Sequence, residues 1–255
     1  MAKNEEESSG QRALELLNHM TTLAEMGHED IEPNSQVYLS VITALGRCKS
    51  RGSADTAQKL LNEMERCFAL GNKLVAPSSY HFNAVIHAWA LSSFVFKADR
   101  AYTLLKRMEE ESNKGNQNYN PDIITYNNVI LAAANSFGDA DVKSKAFRIA
   151  LTAFKTIQAS SDFQQTSRTY SIFLKAIRKL YKPGKERDTI TRKILQYCCR
   201  DGLVNQYVLQ QAELTCSSEK VLRDIFSQIG SSDNDNAIEL KRLPLEWKAN
   251  ASQSR

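Results

Sequence analysis

The stretch Pro121-Asp122-Ile123-Ile124-Thr125-Tyr126-Asn127-Asn128-Val129-Ile130 decides the fold, because its pattern recurs along the chain. Tyr126 is the third of four aromatic residues, Tyr38, Phe82, Tyr126 and Tyr170, set at equal intervals of 44 residues. Pro33, Pro77 and Pro121 keep the same interval, each five residues ahead of its aromatic, and Gln165 takes the fourth place. An apolar ladder follows each aromatic: Val41, Ile42 and Leu45; Val85, Ile86 and Trp89; Val129, Ile130 and Ala133; Phe173, Leu174 and Ile177. A fixed period in this range marks stacked supersecondary units rather than one globular core.

Each unit carries two helical patterns. From Tyr38 the apolar residues fall at i, i+3, i+4 and i+7, one stripe on a 3.6-residue helix, and the proline ahead of it fixes the entry of the chain. The second pattern is Ala57, Leu60, Leu61 and Met64, repeated as Ala101, Leu104, Leu105 and Met108. Ala13, Leu16, Leu17 and Met20 carry it one period earlier, and Ala150, Ala153, Phe154 and Ile157 carry it in the third repeat, displaced by 5 residues. This displacement predicts a turn around Gly138-Asp139-Ala140-Asp141 that is 5 residues longer than its counterparts, and a link to Tyr170 that is 5 shorter. Ser53 is expected to cap the second helix of the first pair, and Asp139 or Asp141 that of the third. One helix pair cannot bury its own stripe, so stability comes from stacking on neighbours. The expected fold is all-α, a right-handed α-solenoid of stacked antiparallel helix pairs.

The organisation follows from the phase. Residues 1–32 form an acidic segment with an unpaired repeat helix (11–27), for which an upstream partner helix is expected. Four helix-pair repeats run over about 33–76, 77–120, 121–164 and 165–200. The last second helix is expected at Glu186 to Arg200, with Ile190, Ile194, Tyr197 and Cys198 inward. Residues 201–230 break the phase as capping helices do, in segments near Asn205 to Leu214 and Ser218 to Ile229. Residues 231–255 read as a flexible tail whose short segment Leu243-Pro244-Leu245-Glu246-Trp247 reads as a peptide tacked onto the solenoid end.

Composition narrows the function classes. Apolar residues are 42% and charged residues 24% of the 255, as in an ordinary soluble fold, and no run approaches the ~20 apolar residues of a membrane span. Glu5, Glu6 and Glu7 argue against a secretory signal or transit peptide at this end. Five cysteines, an odd number without metal-ligand spacing, read as reduced core thiols. The histidines do not cluster. No metal, cofactor or small-molecule substrate is expected, and no enzyme: Gly184-Lys185 lacks the upstream glycine of a phosphate loop and is followed by Glu186.

Charge is uneven. Residues 1–33 hold 2 bases and 8 acids, whereas 123–200 hold 14 bases and 5 acids. The net charge of +9 over that second span is a footprint for a polyanion.

The Pro-x-x-x-x-Tyr-Asn-x-x-Ile opening and the Ala-x-x-Leu-Leu-x-x-Met second helix resemble the pentatricopeptide repeat family over about residues 11–200, in a long-period, 44-residue variant. The Trp-x-x-Leu-Gly opening of tetratricopeptide repeats is absent. The resemblance implies a non-catalytic module that reads single-stranded RNA, roughly one base per repeat, with a role in RNA processing, stability or translation, and a mitochondrial or plastid location. By the family's pattern, the selecting pair is the residue after the opening aromatic and the residue after the closing proline. Asn83 with Asp122 resembles a uridine-selecting pair, and Asn127 with Thr166 a pyrimidine-selecting one. Leu39 with Ser78 departs from the code, and Ser171 has no identifiable partner. Tyr80 and Ile124 fall where the family flanks the base; Gln36 and Arg168 depart there. Phosphate contacts are expected from Lys175, Arg178, Lys179, Lys182, Lys185 and Arg187. The other reading of the same face is a helical-repeat scaffold for a protein partner, favoured by Leu39 and the broken code.

Overall fold

The computed structural model describes residues 2–229 and 239–251, with side chains from Ser9 onward and that of Glu29 excepted. Every described regular element is helical. The first helix of each pair begins 44 residues after the last: α2 (Ser35–Arg47), α4 (Ser79–Leu91), α6 (Ile123–Ala134) and α8 (Ser167–Leu180). The residue after each proline position starts them. Asn34 Oδ1 accepts from the Val37 N–H at 3.1 Å, Asp122 Oδ1 from Thr125 at 2.8 Å, and Thr166 Oγ1 from Thr169 at 3.3 Å. Each satisfies a backbone donor that a helix start otherwise leaves open.

The partner helices are α3 (Arg51–Ala69), α5 (Lys97–Asn113), α7 (Ala140–Ala159) and α9 (Lys185–Arg200), with α1 (Ala2–Glu25) ahead of them. The cap of α3 is Ser50, not Ser53: Ser50 is extended and its Oγ accepts from the Ser53 N–H at 3.0 Å. Asp139 caps α7, accepting from Val142 at 2.9 Å.

The expected long turn before α7 is also corrected. The link 135–139 has the same length as 92–96. The 5-residue displacement lies within α7, where 10 residues separate the helix start from Ala150 against 4 from Lys97 to Ala101, and the next link, 160–166, is two residues shorter than 114–122.

Three of these second helices end alike. Gly27, Gly71 and Gly115, again 44 apart, take φ of +98°, +104° and +91°. In each case the glycine N–H and the next N–H bond back to carbonyls of the last turn, as with Gly71 to Phe68 and Asn72 to Cys67, both at 3.0 Å. Only glycine adopts this left-handed closure without strain. A short 3₁₀ turn follows each (Glu29–Ile31, Lys73–Val75, Gln117–Tyr119) and delivers the chain to the proline.

The chain divides into two compact units, residues 1–132 and 133–255. In the first, α2 packs on α1, α3 and α4, and α4 packs on α3 and α5. Ile42, Leu61, Met64, Phe82, Ile86, Trp89 and Met108 are fully buried or nearly so. Gly46 lets α2 approach α4 closely, since a Cβ there would lie 3.3 Å from that of Ala88. In α1 the stripe is narrower than the spacing implies: Leu17 is buried, while Leu16 is 61% exposed. His81 ties two helix starts together. Its Nδ1 accepts from the Ser78 N–H at 3.2 Å, which leaves Nε2–H to donate to the Ser35 carbonyl at 2.8 Å.

In the second unit α8 packs on α7, α9 and α10 (Gln206–Thr215), and α9 also meets α10 and α11 (Glu219–Ile229). Phe154 and Phe173 stack with centroids 4.2 Å apart, and Tyr170 meets Phe154 edge-on. Of the residues expected inward on α9, Ile194 and Cys198 are buried, Ile190 and Tyr197 half-buried. The Leu243–Trp247 segment, expected within a flexible tail, is docked. Trp247 is 6% exposed, stacks on Phe226 at 5.9 Å, and its carbonyl accepts from the Val204 N–H at 2.8 Å. The Ser/Asp/Asn-rich link 230–236 lies outside the described residues. Among the described residues no helix is long and apolar enough to cross a membrane.

Candidate nucleic-acid interface

Asn83 sits on the first turns of α4 and Asp122 at the start of α6, 39 residues apart in sequence, and the first unit brings them together. Asn83 Nδ2 donates to Asp122 Oδ1 at 3.1 Å. The same oxygen accepts from the Thr125 N–H and from Thr125 Oγ1 at 2.9 Å, so Asp122 serves the cap and Asn83 at once. Asn128 closes the site from behind, its Nδ2 donating to the Asn83 carbonyl at 3.3 Å. Tyr80, 68% exposed, and Ile124, 52% exposed, stand on the opening turns of α4 and α6. Large apolar side chains held in water at equivalent positions of two repeats are informative in a way that a lone exposed residue is not.

Asn83 and Asn127 share an unusual state. They are 7% and 4% exposed, and the Oδ1 of each is buried without a hydrogen-bond partner. An unsatisfied buried acceptor costs about 1–3 kcal/mol, so its recurrence 44 residues apart calls for a reason beyond folding. Thr166 belongs to the second unit, where besides capping α8 it lines a groove of about 380 Å³ with Gln165, Asp201 and Asn250. Gln36 and Arg168 are exposed; Leu39 and Ser171 are half-buried.

The expected phosphate ligands part company. Lys175 is half-buried and donates to Asn135 Oδ1 at 2.9 Å; burial, with Lys179 and Arg178 nearby, lowers its pKa. Lys185 is exposed. Arg178, Lys179, Lys182 and Arg187 instead converge on a groove of about 960 Å³ at the start of α7, the end of α8 and the start of α9. Lys143 and Arg148, which the sequence pattern did not single out, also line it. Lys143 lies about one helical turn and Arg148 about two and a half turns from the Asp139 cap, and only the fold places them on one groove with Arg178.

Elsewhere the chemistry is quiet. Cys48, Cys198, Cys199 and Cys216 are buried thiols outside any disulfide, and burial pushes Cys199 and Cys216 up to about 12, out of the nucleophilic range. Among the described residues no three histidine, cysteine or acidic side chains are grouped to hold a metal. Compared with protein-family models, curated proteins and solved structures, the chain matches none.

The capping duty of Asp122 and Thr166 was open to a sequence reading, since Asn34, Ser78, Asp122 and Thr166 are cap-forming residues 44 apart. So was the glycine series at 27, 71 and 115.

Proposed function

We propose that the chain is a pentatricopeptide-type protein whose units are segments of a right-handed α-solenoid, and that it binds single-stranded RNA without catalysis. The packing of α2 on α4, and of α8 on α10, beside the contacts within each pair, supports the stacking. The observation that carries the RNA reading is the hydrogen-bonded Asn83–Asp122 pair, with the exposed Tyr80 and Ile124 on the opening turns of the same two helices, α4 and α6. A base held between these two side chains meets a carboxylate and an amide at its edge, and stacking on an aromatic face adds about 1–3 kcal/mol per base. Asp122 accepts a proton-bearing ring nitrogen, which uracil offers at N3 and cytosine does not. The lysines and arginines of the second unit contribute phosphate contacts.

The test is a fluorescence titration of labelled U8, C8 and A8 RNA at several salt concentrations. Affinity that falls steeply with salt and ranks the pyrimidines above A8 supports the reading. A folded, helical protein that binds none of them at low salt contradicts it and turns attention to a protein partner.

A further inference from the structure

Arg187 is 7% exposed, and its Nε is buried without a hydrogen-bond partner. A guanidinium withdrawn from water needs a counter-charge, since an unpaired buried ion costs several kcal/mol. Its neighbour Asp188 does not supply one: its two carboxylate oxygens accept from the N–H and Oγ of Ser217, at 2.9 and 2.6 Å. Among the described residues no carboxylate forms an ion pair with Arg187. Arg178 Nε, across the groove on α8, is buried and unpartnered as well.

The rest of the groove has the same bias. Six cations line it against two carboxylates, Asp139, which caps α7, and Glu186, which is exposed. The start of α9 borders it through Pro183 and Glu186, and its N-cap, Gly184, offers no side chain to cap the first-turn N–H groups. One wall is apolar. Tyr181 meets Phe147 edge-to-face at 4.7 Å, and Leu151 and Leu180 line the groove with them. A basic floor beside an aromatic wall, in about 960 Å³, fits a ligand with a phosphate at one end and a ring at the other.

We propose that this groove binds a terminal phosphorylated nucleotide, its phosphomonoester on Arg187 and Arg178 and its base against Tyr181. Arginine pairs bidentately with phosphate oxygens. A monoester brings three oxygens and close to two charges, whereas an internal diester brings one charge. A free mononucleotide presents the same chemistry as a strand end; that the bearer is an RNA strand rests on the function proposed above.

The experiment measures anisotropy with labelled eight-nucleotide RNAs carrying a 5′-phosphate, a 3′-phosphate or hydroxyls at both ends, and adds uridine and uridine monophosphate as competitors. One phosphorylated strand is expected to bind about tenfold tighter than the hydroxyl-ended strand, the effect of one added charge-assisted contact. In Arg178→Gln/Lys182→Gln, whose side chains are at least partly exposed, that ratio falls to about one whatever the absolute affinity. Arg187→Gln should do the same where circular dichroism shows it folded. Equal binding of all three strands, with no competition by the mononucleotide, overturns the proposal. Failure of every RNA to bind, with uridine monophosphate but not uridine held in a direct calorimetric titration, overturns the RNA reading and leaves the phosphate site standing.

Discussion

Asp122 Oδ1 accepts from both the Thr125 N–H and Asn83 Nδ2, so one oxygen starts α6 and fixes the amide of α4. Asp122→Ala removes a cap worth about 1 kcal/mol and leaves a buried amide donor unpaired, for a combined loss of roughly 2–4 kcal/mol. Asp122→Asn keeps a capping oxygen and should cost under about 1 kcal/mol. Urea unfolding followed by circular dichroism distinguishes the two.

The His81 ring, 4% exposed, gives the first unit an acid sensitivity of definite sign. Burial lowers its pKa below 6.5, against the opposing hydrogen bonds to Ser35 and Ser78. The unfolded chain therefore binds the proton more readily than the folded one. This contribution to stability is complete above pH 6.5 and shrinks as pH falls below it. The urea midpoint should drop between pH 7 and pH 5 by more in the wild type than in His81→Gln. Equal drops would remove His81 from the explanation.

Gly71 and Gly115 hold the same left-handed closure one period apart, and nothing lies within 4 Å of a Cβ built on either. Their substitution is thus a test of backbone strain alone. Gly71→Ala and Gly115→Ala should each cost about 1–2 kcal/mol, and the double variant the sum. Unfolding midpoints of the three proteins check this.

Trp247 joins the C-terminal segment to the second unit through Phe226 and the Val204 N–H. Trp247→Ala should destabilise that unit by roughly 3–5 kcal/mol. Hydrogen exchange is the direct measurement: amides of α9 and α11 should lose protection, and those of α2 and α4 should keep it.

Much of this architecture was legible before any coordinates, because helix starts obey local rules. A proline followed by a cap-forming residue, then an aromatic and its ladder, specifies α2, α4 and α6 without tertiary information, and α8 keeps the cap, aromatic and ladder with Gln165 in the proline's place. The second helices were harder. Ser50 and Ser53 are both good caps, and only the extended backbone at Ser50 decides between them. The displaced stripe of α7 looked like a longer turn because Ala146, Ile149, Ala150 and Ala153 offer an alternative register that is also buried. Pairing at a distance was the least legible part. The Asn83–Asp122 contact came from a family resemblance, while the convergence of Lys143, Arg148, Arg178 and Arg187 on one groove has no local signature.

The central claim is that Asp122 reads a base edge, and exchanging its acceptor for a donor tests it most directly. Uracil N3–H needs an acceptor; cytosine N3 needs a donor, which Asn supplies and Asp lacks. The measurement is the ratio of U8 to C8 affinities for the wild type and for Asp122→Asn at one salt concentration. The account predicts that the wild type favours U8 and that the ratio falls by about tenfold in the variant, the effect of one mismatched hydrogen bond. An unchanged ratio in a folded variant would contradict it.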